Sequence, residues 1–186
     1  GSIGKPIDQH IADWSTHLEA KGDTQKHIKE LSGYVSKCAE FSKWHFVSDI
    51  NMETVNRWLM SRKADGKSLS LLNHGIRALK GFVNWLLLEK RIAESPILGL
   101  SLYNERTDRR RFRRYLSAEE LGRLIGAAEV AGASHGLSGE ARGLLYMFAA
   151  LIGLRWGECR KIICADIHLE DENPAVTVRS EITQNG

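Results

Sequence analysis

Residues 68–96 read SLSLLNHGIRALKGFVNWLLLEKRIAESP, and this stretch decides the fold. Leu69, Leu72, Ile76, Leu79, Val83 and Leu86 recur at steps of three and four, flanked by Phe82, Trp85 and Leu87. That spacing puts them on one face of a helix. A face so broad predicts the central helix of a bundle. Ser68 or Ser70 opens the helix as its cap, and the run extends to about Arg91. Glu94-Ser95-Pro96 ends it, because the residue before a proline is driven out of helical geometry.

Upstream, three shorter stripes supply partners. Ile7, Ile11, Trp14 and Leu18 share a face behind Pro6, with Gly22 suited to the turn that follows. Asp23 or Thr24 caps a second helix reaching about residue 43, with Ile28, Leu31, Val35, Cys38 and Phe41 on its apolar side. Asn51 caps a third, carrying Met52, Val55, Trp58 and Leu59. Residues 5–95 therefore read as one all-helical domain, with Trp14, Trp58 and Trp85 in its core.

Downstream, residues 103–114 read YNERTDRRRFRR, six arginines against two acids, a net +4. The whole chain is only +3, so the remainder is −1. Arginine suits phosphate oxygens through its planar fork, and a short basic block in a near-neutral chain points to a polyanion; a solvated linker over 96–114 is the plainer reading. Ser117 and Glu120 then form a capping box for a helix carrying Leu121, Leu124, Ile125 and Ala128. A Gly/Ser-rich loop leads to a helix over about 139–152, expected to be buried through Leu144, Leu145, Phe148 and Leu151. Val176, Val178 and Ile182 alternate as in a strand, and Gln184-Asn185-Gly186 suggests the start of a hairpin turn. With no returning partner expected for that strand, the reading is a truncated domain.

Composition narrows the classes. The chain has 186 residues, 42% hydrophobic and 26% charged, and no apolar run near the roughly 20 residues a membrane helix needs. Cys38, Cys159 and Cys164 are odd in number and lack zinc spacing, so neither a disulfide framework nor a metal site is expected, and a reducing cytoplasm is the natural compartment. The seven histidines are scattered without ligand spacing.

The chemistry concentrates in residues 150–186, ALIGLRWGECRKIICADIHLEDENPAVTVRSEITQNG. Arg155 stands at a glycine-bounded helix end, with Glu158 three residues on. Either the acid holds the arginine toward an anion, or the two form a surface ion pair.

Gly153-Leu154-Arg155-x-x-Glu158, followed by Asp166-Ile167, resembles the first box of tyrosine recombinases, the phage integrase family. Leu116-Ser117-Ala118-Glu119-Glu120-Leu121 resembles the opening of that family's catalytic domain, and the fourth helix its last core-binding helix. The resemblance implies a mainly α protein: a four-helix, SAM-like core-binding domain (5–95), a basic linker (96–114), and the start of an α+β catalytic domain (115–186) with part of a β-hairpin. It implies a tyrosine nucleophile forming a 3′-phosphotyrosyl intermediate, with no metal or cofactor. Arg155 would stabilise the transition-state phosphate and Glu158 would buttress it. Gln184 occupies the usual position of a lysine that protonates the leaving oxygen, and glutamine cannot act as a general acid.

Tyr34, Tyr103, Tyr115 and Tyr146 fall in the wrong places for the nucleophile, and no His-x-x-Arg box follows, so the chain as given is expected not to cut DNA. The implied partner is double-stranded DNA, held by a tetramer of the full-length protein and by a monomer of this fragment. Expected contacts are Thr24, Gln25 and Lys26; Lys67, Ser68, Ser70, Asn73 and Arg77; and Arg109, Arg110, Arg111, Arg113 and Arg114. Two other readings are a non-catalytic, recombinase-derived DNA-binding module and an unrelated helical module whose basic segment binds acidic protein.

Overall fold

The structure, a computed structural model, describes residues 4–110, 114–170 and 172–182. The chain divides into two units, Gly1–Phe112 and Arg113–Gly186. The architecture is mainly helical, with one small antiparallel sheet.

In the first unit the apolar stripes fold into α1 (Ile7–Ala20), α2 (Gln25–Ser42), α3 (Met52–Ala64) and α4 (Leu69–Leu88). Three starts are fixed by side chains that accept otherwise orphaned N–H groups. Thr24 accepts from His27 N (3.3 Å), Asn51 from Thr54 N (2.9 Å) and Ser68 from Leu71 N (3.2 Å). α4 is the centre: Leu72, Ile76, Leu79, Phe82, Val83 and Leu86 are all buried. Trp14 and Trp85 flank Phe82 at ring-centroid distances of 5.4 and 6.0 Å. Trp14, Trp58 and Trp85 are core residues, as their spacing predicts.

The bundle does not stop at Pro96. Ile97 and Leu100 enter the same core, and Lys80 donates to the Leu100 carbonyl (3.0 Å). The helix itself ends earlier than Arg91, at Leu88, followed by left-handed Lys90 (φ +53°). Residues 97–110 are therefore packed onto the first unit rather than strung out as a linker.

In the second unit α5 (Ala118–Val130) opens on the Ser117–Glu120 capping box, with 2.9 and 3.1 Å bonds. It packs against α6 (Gly139–Ile152) at close range. A Cβ on Gly139 would lie 2.3 Å from the Ala131 carbonyl, so only glycine permits this approach. The expected burial of α6 is only partly realised. Leu144 and Leu151 are exposed, because with Met147 and Phe148 they line an open trough of about 900 Å³ that Ile167 also borders.

After α7 (Trp156–Cys159), β1 (Ile167–His168) pairs with β2 (Ala175–Val176) in antiparallel register. This corrects two sequence expectations. The strand partner lies upstream in the chain, and extended pairing stops at Val176, since Ser180–Ile182 turns as a 3₁₀ helix. The hairpin turn expected at Gln184-Asn185-Gly186 lies outside the described residues. Among the described residues no helix is long and apolar enough to cross a membrane, and no group of three His, Cys, Asp or Glu could hold a metal.

Candidate functional site

Arg155 is positioned by the break between two helices. Gly153, left-handed at φ +72°, ends α6, and its N–H closes on the Ala149 carbonyl (3.0 Å). A residue with a Cβ pays for that conformation and glycine does not. Two residues on, Arg155 occupies the N-cap position of α7, with no capping bond from its own side chain. Glu158 reaches back and clamps it twice: Oε2 accepts from Arg155 N (2.7 Å) and Oε1 from the guanidinium (3.2 Å).

The clamp is asymmetric. The Glu158 side chain is 9% exposed and the Arg155 side chain 66%. The Arg155 backbone N–H, more than any other cause, holds the Glu158 carboxyl below the ordinary range; burial opposes this, and the Arg155 and Lys161 charges add to it. Glu158 is thus ionised at neutral pH and serves as an anchor, not a proton donor. What it anchors is a solvent-facing guanidinium with donors to spare.

The Asp166-Ile167 element locks the following hairpin to the same region. Asp166, 4% exposed, accepts from Ile163 N (3.0 Å) and pairs with Arg179 (2.9 Å). Arg179 also donates to the Lys161 carbonyl (3.0 Å), and the Asp166 carbonyl accepts from Thr177 N (2.8 Å).

In the first unit the expected DNA-contacting residues separate into two groups. The start of α4 is occupied by the protein's own acids. Asp108 accepts from Leu69 N (2.7 Å), taking the place an external anion would hold at a helix N-terminus. Glu105 accepts from Asn73 (2.8 Å) and Ser70 and lies 3.4 Å from Arg77. Asn73 is corrected outright. It is 1% exposed, donates to the Tyr103 carbonyl (2.9 Å) and accepts from Tyr103 N (2.8 Å), so it ties residues 103–105 to α4 and does not face a groove.

The hydroxyl of Ser68 caps the helix, and the Lys67 carbonyl accepts from Arg110 (3.2 Å). Arg110 also pairs with Asp108 (2.8 Å) and bonds the Gly66 carbonyl (2.7 Å). Tyr103, two acids and one arginine of the 103–110 segment thereby close over the start of α4. Arg109 is exposed. Arg114 forms a two-pronged pair with Glu120 (2.6 and 2.7 Å). Arg111 and Arg113 lie outside the described residues, as does Gln184.

The start of α2 is different. Thr24 caps it, and Gln25 donates to Glu19 (2.6 Å), but Lys26 opens a groove of about 500 Å³ shared with Lys29, Lys37 and Arg62. Glu30 is the one acid on its wall, and Tyr34 lies in it. Burial, then the Glu30 charge, raises the Tyr34 hydroxyl above its ordinary value, so it stays a neutral donor. Lys29, Lys37 and Arg62 were not singled out by motif. The signal for Lys29 and Lys37 is the steps of three, four and four through Lys26, Lys29, Gly33 and Lys37, the polar side opposite the Ile28–Val35 stripe; Arg62, on α3, has no such signal. No family model and no curated protein matches the chain.

Proposed function

We propose that this chain is the DNA-gripping part of a site-specific tyrosine recombinase, joined to the opening portion of its catalytic unit. The observation that carries the reading is the Arg155–Glu158 clamp within the Gly-Leu-Arg-x-x-Glu element: a buried, ionised carboxylate aligning an exposed guanidinium. A phosphorane gathers negative charge as it forms, so a cation fixed beforehand stabilises it more than the ground state.

In the reaction the resemblance implies, a tyrosine oxygen bonds to phosphorus. The 5′-oxygen leaves with a proton, and the 3′-phosphotyrosyl link conserves the bond energy for rejoining. None of the four tyrosines here takes the nucleophile's role. Arg155 carries the phosphate contact, Glu158 holds Arg155, and the Lys26, Lys29, Lys37 and Arg62 groove meets duplex phosphates. Gln184 in the lysine position favours a second reading, a DNA-binding module that does not cleave.

Duplex binding measured against salt tests the reading. Each neutralised phosphate contributes a slope of about −0.9 in log K against log salt. With all four cations engaged, the chain gives a slope near −3.6 or steeper. Replacing all four groove cations by alanine flattens the slope by about that amount. Absent or salt-independent duplex binding overturns both DNA readings. In the protein carrying its nucleophile, Arg155→Ala abolishes cleavage and leaves most duplex affinity; normal cleavage by that variant removes the Arg155 assignment.

A further inference from the structure

A second hollow, wholly within the second unit, holds chemistry that the recombinase reading leaves unused. It measures about 930 Å³ and is walled by His135, Arg142, Tyr146, Trp156 and Arg160 over Leu137 and Leu145. That volume lies in the range of small-molecule sites.

Two groups in it are available to a ligand. Trp156 is 56% exposed, whereas the other four tryptophans are buried. Among the described residues no ring or cation packs on its face. Arg160, one helical turn further on, is exposed, and its guanidinium makes no hydrogen bond or ion pair among the described residues. An indole and a guanidinium at this spacing lie on the same side of the chain.

Two other groups are fixed in advance. Arg142 donates to the Gly132 (2.9 Å) and Ala128 (3.2 Å) carbonyls, which sets it as a rigid cationic wall. His135 sits in a two-residue turn with Gly136, both left-handed (φ +56° and +77°), closed by the Ser134–Leu137 bonds of 3.0 and 3.1 Å. Its Nδ1 lies 2.8 Å from Ser134 Oγ, which leaves Nε2 for another partner. A histidine at positive φ is uncommon, and this one lines the hollow.

We propose that this hollow binds a nucleotide, its base stacked on Trp156 and its phosphate held by Arg160. Bare phosphate leaves the indole unused, and a neutral aromatic leaves the guanidinium unpaired; a base joined to a phosphate satisfies both. His135 and Tyr146 supply further hydrogen-bonding groups at the wall. A free nucleotide and an unstacked nucleotide of a single strand present the same chemistry. The site does not depend on the duplex reading.

The full chain is titrated with adenosine 5′-monophosphate while tryptophan emission is followed, with adenosine and ribose 5-phosphate as half-ligands and a short oligothymidylate as the strand. The nucleotide quenches saturably, because the exposed indole is the one that stacks. Equilibrium dialysis then shows roughly tenfold weaker nucleotide binding for Trp156→Leu. Arg160→Ala loses a similar factor for the nucleotide and nothing for adenosine, while Arg160→Lys retains most of the affinity. Circular dichroism melts verify that each variant is folded. Oligothymidylate that displaces the nucleotide marks the site as one for a strand; a nucleotide it does not displace marks a free-ligand site. No saturable binding of nucleotide or oligonucleotide at millimolar concentration overturns the proposal. So does nucleotide affinity unchanged in both Trp156→Leu and Arg160→Ala.

Discussion

Gly75 and Gly81 lie in the same helix, α4, and alanine at the two positions is expected to act with opposite sign. Alanine stabilises a helix interior relative to glycine by about 1 kcal/mol, in part by restricting the unfolded chain. At Gly81 the new methyl would sit 3.5 Å from Trp14 Cζ2, an ordinary contact, so the intrinsic gain is kept. At Gly75 it would sit 2.8 Å from Trp58 Cη2 and 3.1 Å from Cζ3. Carbon atoms pack best at about 3.5–4.0 Å, so the overlap is roughly 0.7 Å. Trp58 is 4% exposed on α3 and cannot swing aside without surrendering its burial. Overpacking of this kind costs about 1–3 kcal/mol, which outweighs the helix gain.

Gly75→Ala should therefore destabilise by about 1 kcal/mol and Gly81→Ala stabilise by a similar amount. The difference of about 2 kcal/mol corresponds to melting temperatures roughly 8–16 °C apart for a domain of this size. Urea titration followed by tryptophan emission measures both variants on one scale. A third variant isolates the cause: in a Trp58→Phe background the shorter ring leaves room, and Gly75→Ala costs less. If Gly75→Ala matches Gly81→Ala in stability, Trp58 does not pack over Gly75 and the α3–α4 contact is misassigned.

Asn73→Ala should cost about 3 kcal/mol, since it strands both the Tyr103 N–H and its carbonyl, a penalty of roughly 1–3 kcal/mol each; a urea midpoint equal to wild type refutes the staple. Thiol labelling should find one fast cysteine, the exposed Cys164, in the native chain and three after denaturation. Burial pushes the Cys38 thiol up to about 12, so peptide mapping that finds Cys38 modified as fast as Cys164 contradicts the packed core. Asp13, Asp49, Glu105 and Asp108 are all held below the ordinary carboxylate range, by hydrogen bonds led respectively by Lys5, the Phe46 N–H, Asn73 and Arg110. Lowered groups stabilise fully above their unfolded values near 4 and lose that contribution as pH falls through the folded ones. The urea midpoint should hold down to about pH 5 and drop below pH 4, and a midpoint constant from pH 7 to pH 3 defeats this account.

What the sequence disclosed is what lies within a few residues of itself. A capping side-chain oxygen is legible because the N–H it accepts from is three positions on, and Thr24, Asn51, Ser68 and Ser117 all sit where their helices begin. The Arg155–Glu158 clamp is legible for the same reason. The face of α6 reads as buried because apolar periodicity records which side faces the core, not whether anything covers it. The start of α4 misled for a different reason. A helix beginning with serine, an asparagine and open N–H groups has the local signature of an anion site, and it is one. Its anion is Asp108, 39 residues away, with Glu105 beside it. Sequence spacing cannot distinguish an internal carboxylate from an external phosphate, because both satisfy the same donors. The distinction needs the 2.7 Å contact itself, and of the two helix starts expected to meet phosphate it leaves only that of α2 for the proposed reading. There Lys26, Lys29, Lys37 and Arg62 share one groove with a single acid, Glu30, on its wall.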